Sequence, residues 1–99
     1  MRCEAEGKII KVLGRRSGPL KNGKDYESMD LLLEEDNDIY HYKLRFTMTS
    51  FDGPIVDAPA VGDRVRVSFT VQARESKPRE GQQPQWFNSV NAHRVEKLR

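Results

Sequence analysis

From Arg64 to Gln72 every second residue is apolar: Val65, Val67, Phe69 and Val71 alternate with Arg64, Arg66, Ser68, Thr70 and Gln72. Strand side chains repeat with period two, so this stretch has one wet face and one face that must be covered. The alternation recurs at residues 25–35, where Met29, Leu31 and Leu33 share a face. It recurs again at 39–47, where Tyr40, Tyr42, Leu44 and Phe46 oppose His41, Lys43 and Arg45. No helical periodicity is sustained beyond a turn or two. The chain is thereby limited to folds that stack or close half-apolar sheets.

Two more strands complete the set. Residues 4–14 carry β-branched Ile9, Ile10 and Val12, with a bulge expected at Gly7 or at the Ile9-Ile10 pair. Residues 86–97 open on Trp86 and Phe87. Between the strands lie an extended loop with an Asn-Gly step at 15–24 and an acidic turn at 35–38. A crossing segment at 48–63, with a short helical turn around 49–51, and a polar loop from Arg74 to Gln85 complete the connections. Five short strands in one domain, residues 1–99, must hide their edges, and curling into a small barrel buries the apolar face on itself. The expected fold is all-β, a five-stranded Greek-key OB-fold barrel with long loops after strands 1 and 4. An SH3-like barrel is the nearest competitor.

Composition narrows the function. Apolar residues make up 36% and charged residues 32%, but the apolar ones are clustered in alternating runs, which is the pattern of a folded domain. Cys3 is the single cysteine, so neither an intramolecular disulfide nor a cysteine-pair zinc site can form within the chain. His41 and His93 stand apart with no ligand spacing, and Asp52, Asp57 and Asp63 fall where aspartates close turns. The glycines of "GRRSGPLKNGK" lack the strand–loop–helix context of a phosphate loop. The expectation is a non-enzymatic protein with no catalytic residue, metal or cofactor. Neither a signal segment nor an apolar membrane span is visible, so the expected location is cytoplasmic and off the membrane.

Charge is segregated along the chain. Residues 1–24 carry seven Lys/Arg and two acids, residues 25–38 seven acids and no base, and residues 64–99 eight bases and three acids. An OB barrel binds single strands across its strand 2–3 face, with the loops after strands 1 and 4 on either side. On this chain that footprint takes in Arg15, Arg16, Lys21 and Lys24 in the first loop, and His41, Lys43 and Arg45 on strand three. Arg74, Lys77 and Arg79 belong to it in the second loop. Each base can neutralise a phosphate and release counterions, while Tyr26, Trp86 and Phe87 offer stacking surfaces for bases. Trp86 is equally suited to plug the core, and Tyr40 and Tyr42 are expected to be buried with Leu44 and Phe46.

Three segments add a resemblance over nearly the whole chain: "GKIIKVL", "VGDRVRVSFTVQARE" and "WFNSVNAHRVEKL". Together they resemble a bacterial family of small, uncharacterised OB-fold proteins similar to single-stranded DNA-binding proteins. Its most specific elements here are Gly62-Asp63, Arg74-Glu75 and Trp86-Phe87. The stretch "SKPREGQQPQ" is longer than the family's usual loop, and His93 stands where an aromatic is common. The resemblance implies single-stranded DNA as partner, with RNA as an alternative ligand and a homo-oligomer through exposed strand edges also open. A second reading makes the domain a protein-interaction module that docks through Glu34, Glu35, Asp36 and Asp38.

Overall fold

The computed structural model describes residues 1–36, 39–76 and 79–98. It is all-β, with β1 (Arg2–Pro19), β2 (Asp25–Glu35), β3 (Lys43–Ser50), β4 (Arg64–Glu75) and β5 (Trp86–Lys97). The strands form one sheet that closes in a ring, in the order β1-β2-β3-β5-β4 and back to β1. Neighbours are antiparallel except β3 and β5, which run parallel and meet at Thr47 and Asn91.

The ring closes because β1 serves two partners. Its residues 2–8 pair with β4, and residues 7–19 pair with β2. A strand shared in this way has to bend, and β1 shifts register at Ile10 and again at Leu13. The first shift falls within the Ile9-Ile10 pair, where a bulge was expected. Gly7, at the point of sharing, pairs on both sides. A Cβ there would land on the carbonyl oxygen of Glu34, a backbone atom that cannot swing away. Only glycine lets β1 lie between its two neighbours.

The inward residues are those the alternation marks. Ile9, Met29, Leu31, Leu33, Phe46, Val65, Val67 and Phe69 form the buried core, with Leu44, Val71, Val90, Ala92 and Val95 packed around it. β5 contributes only half-buried residues to this core, in keeping with its single meeting point with β3.

Several boundaries differ from those the sequence suggests. β1 runs to Pro19, so Arg15 and Arg16 are strand residues and the connection to β2 is only residues 20–24. Beyond residue 8, β1 is paired on the β2 side alone, and an edge position tolerates the Gly, Ser and Pro that read as loop. The Asn-Gly step does make the turn: Gly23 adopts φ 83°, and the Asn22 side chain accepts the Lys24 N–H at 3.0 Å.

β3 begins at Lys43 rather than 39 and continues through Thr49 and Ser50, where a helical turn was expected. Tyr40 and Tyr42 therefore precede the strand, and the alternation that would have turned them inward does not apply. They are 55% and 60% exposed and stack on each other at 5.3 Å.

β4 reaches Glu75, and its ladder with β5 runs out to the Glu75–Trp86 pair. The Ser76 N–H then donates to the Gln85 carbonyl at 2.8 Å, and Gly81, φ 83°, sits in a turn closed by Gln82 N–H on Arg79 O. The loop expected after strand 4 is thus carried on a hydrogen-bonded ribbon. With this ribbon extending from the ring, the radius of gyration is 15.4 Å, against about 13 Å for a compact chain of 100 residues. Among the described residues no helix is long and apolar enough to cross a membrane.

Candidate nucleic-acid interface

The outer surface of β1, β2 and β3 is assembled by register. Directly paired residues share a face, so the outward rows read Lys8–Glu34–Lys43, Lys11–Leu32–Arg45, Asp30–Thr47 and Arg16–Ser28–Thr49. The last row, at the β1–β2 turn, is Gly18–Tyr26. Cations on this surface outnumber carboxylates, and Lys8, Lys11 and Lys43 make no ion pair among the described residues.

At its centre is a buried charge. Asp30, 5% exposed, accepts hydrogen bonds from Thr47 Oγ1 at 2.6 Å, Arg16 Nη1 at 2.9 Å and Arg45 Nη2 at 3.4 Å. Burial pushes the Asp30 carboxyl up, but the bonds from Thr47 and Arg16 and the charge of Arg16 outweigh it. The group is held below its ordinary value and stays ionised. Its hydrogen bond raises the Arg16 guanidinium in turn. One carboxylate from β2 thus orients an arginine from each neighbouring strand, and both arginine side chains remain more than half exposed, at 57% and 68%. A charge-assisted pair held in this way presents donors in a fixed direction.

The other expected contacts divide. Arg15 points to the face opposite Arg16, as consecutive strand residues must, and is bound by Glu27 at 2.6 Å. That bond lowers the Glu27 carboxyl, which also accepts the Ile55 N–H. Lys24 is paired with Asp52 at 2.9 Å at the turn, and His41 lies 3.4 Å from Glu34. Lys21, Arg74 and Arg79 are exposed with no ion pair among the described residues. Lys77 and Asp38 lie outside the described residues. The structure thus brings Arg16, Tyr26, Lys43 and Arg45 onto one face and does not bring Arg15 there.

The aromatics also divide. The Tyr26 ring covers Gly18, where a Cβ would meet it at 2.9 Å, so its position depends on that glycine. Trp86 and Phe87 are 66% and 55% exposed, and neither plugs the core. The reason is that both lie on the ribbon beyond the ring, where neither side of the ladder is covered. By register Phe87 pairs with Arg74 on the outer side, while Trp86 pairs with Glu75 on the side that continues the core lining.

Residues that the sequence does not single out join the surface. Lys8 and Lys11 read only as strand residues, yet their period-two placement opposite Ile9 is a legible signal. Thr47 and Asn91 carry no signal beyond their residue type, because only the pairing of β3 and β5 puts them side by side. Asp30 reads in sequence as a carboxylate on the face of Lys43 and Arg45 and not as the group that holds two arginines.

Comparison with known proteins adds a family and no function. No curated protein matches the sequence. A family model described as a domain of unknown function, DUF3127, matches residues 4–96, which takes in all but the first two residues of β1 and the last of β5. On that match, the chain belongs to the DUF3127 family.

Proposed function

We propose that this protein is an OB-fold, non-enzymatic binder of single-stranded nucleic acid, DNA before RNA. The ring order β1-β2-β3-β5-β4, with β1 shared and a crossing segment between β3 and β4, is the arrangement that a Greek-key OB barrel needs. The observation that carries the reading is the outer face of β1–β2–β3. There Lys8, Lys11, Arg16, Lys43 and Arg45 face solvent around a single buried carboxylate, with Tyr26 at one end and Phe87 on the adjoining ribbon. Phosphates meet the cations, and each neutralised phosphate contributes about 0.7 to the slope of log affinity against log salt for a single strand. Bases stack on the exposed rings, each such stack being worth about 1–3 kcal/mol.

The docking-module alternative has less support. Of its four carboxylates, Asp36 is held by Arg64 and Glu34 lies beside His41.

Trp86 is the only tryptophan and is exposed on the β4–β5 ribbon, so it reports on that ribbon directly. Titration with oligo-dT of about 20 nucleotides, at low and moderate salt, should quench its emission and raise the anisotropy of a labelled strand. Both responses should weaken as salt rises. Duplex DNA and poly-U serve as controls. Absence of binding at low salt would overturn the proposal.

A further inference from the structure

β3 and β5 are neighbours in the ring but join at one residue pair, Thr47 and Asn91. Before that point β5 is committed on its other edge to β4, through Val71–Val90, Gln72–Ser89 and Ala73–Asn88. With no ladder to draw them together, the two strands part and leave a cleft of about 270 Å³, lined by Arg45, Thr47, Asn88, Ser89, Val90 and Asn91.

Its chemistry differs from that of the surface next to it. Apart from Arg45, which Asp30 already holds, the side chains are amides, hydroxyls and one valine. Asn91, which register places on the outer side of β5 with Ser89 and Phe87, makes no side-chain hydrogen bond within the described residues, and no buried side-chain polar atom lacks a partner, so its amide faces water. Asn88 pairs with Ala73 and lies on the other side of the strand. Phosphate is poorly matched to such a lining. A neutral, flat group with donors and acceptors along one edge is well matched, since each amide offers one donor side and one acceptor side in a single plane. Phe87, two positions before Ser89 and on the same side of β5, supplies a ring beside the cleft for a neighbouring group to stack on.

We infer that the cleft takes one extruded nucleobase and reads its edge, so that binding is selective for base at one position; this rests on the nucleic-acid reading above. Single-stranded recognition works in this way when a base is splayed out, stacked and hydrogen-bonded along its edge. Adenine is the occupant, because an asparagine amide meets its N6 amino group and N7 with two hydrogen bonds. Guanine offers two acceptors on that edge and calls for a guanidinium; Arg45 lines the cleft with one nitrogen on Asp30, so the dG strand is one discriminating control. Cytosine has a donor and an acceptor on a smaller ring and is the other.

The test uses twelve-nucleotide oligo-dT and the same strand with a single central dA, dC or dG, with affinities measured by anisotropy on the full chain. The dA strand should bind roughly tenfold tighter than oligo-dT. That ratio should fall to about one in Asn91→Ala and stay unchanged in Asn88→Ala, whose side chain lies on the other side of β5. Because the ratio is taken within each folded variant, a general loss of affinity does not affect it. Equal affinity for all four strands, or a preference that survives Asn91→Ala, overturns the inference and leaves the proposed function standing. A preference for dC or dG overturns the assignment of adenine. If no strand binds, the proposed function itself fails.

Discussion

The two outer faces that share β1 are built with opposite charge at their centres. On β1–β2–β3 the centre is a carboxylate, Asp30, with Arg16 and Arg45 around it. On β1–β4–β5 it is a guanidinium, Arg66, with Glu6 at 2.5 Å, Glu4 at 3.6 Å and Glu96 at 3.7 Å. Glu96 also takes Arg94 at 2.5 Å. Both clusters satisfy their charges, so local electrostatics does not rank them. They differ in what is left pointing outward. A central carboxylate leaves guanidiniums at the surface, joined there by unpaired lysines, whereas a central arginine leaves carboxylates interleaved with Arg2, Arg64 and Arg94. The same strand thus borders a face where unpaired cations surround one buried carboxylate and a face where cations and carboxylates are interleaved and mostly paired.

The largest expected effect comes from reversing charge on the first face alone. Arg16→Glu with Arg45→Glu should cost about a hundredfold in affinity for oligo-dT and reduce the salt slope by about 0.7 for each phosphate no longer neutralised. Anisotropy titrations at three salt concentrations measure both. Arg94→Glu, on the second face, is the matched control and should change affinity less than twofold. Equal reductions from the two faces would erase the contrast between them.

Phe87→Ala should come next, at about tenfold, if the ring stacks on a base. An unchanged affinity would confine the interface to the ring of strands.

The smallest effect bears on stability. Replacing the centre, Asp30→Asn, should cost about 1–2 kcal/mol at neutral pH, read from urea midpoints. Because the folded protein holds this carboxyl below its ordinary value, its contribution is complete above about pH 4. The contribution is lost as pH falls through the lowered value. Asp30→Asn should therefore flatten the acid limb of a stability–pH curve, leaving the part due to Glu27, which Arg15 also holds low. An acid limb identical to wild type would remove Asp30 from the centre.

Much of the fold is legible in the sequence because period-two patterning is a local property. Val65, Val67 and Phe69 declare their face whatever strand lies beside them, and each is buried. The strand ends are less legible. "RRSGP" reads as loop, yet it is an edge of β1 held by its ladder to β2, a context that sequence alone does not carry. Tyr40 and Tyr42 fail for the converse reason, since their alternation with Leu44 is real but the strand starts after them. Arg15 and Arg16 look equivalent in a loop and become opposites in a strand. The central Asp30 reads in sequence as a source of repulsion to phosphate, because its pairing with arginines on two other strands depends on long-range register.

The most direct measurement is a ¹⁵N-resolved NMR titration of the folded chain with oligo-dT, following backbone amides on both faces. Shifts should concentrate at Lys11, Arg16, Asp30, Arg45 and Thr47, with Phe87 and Asn91 alongside. Glu4, Arg66 and Glu96 should stay in place. Shifts centred on Glu4, Arg66 and Glu96, with the β1–β2–β3 face unmoved, would contradict binding on the β1–β2–β3 face.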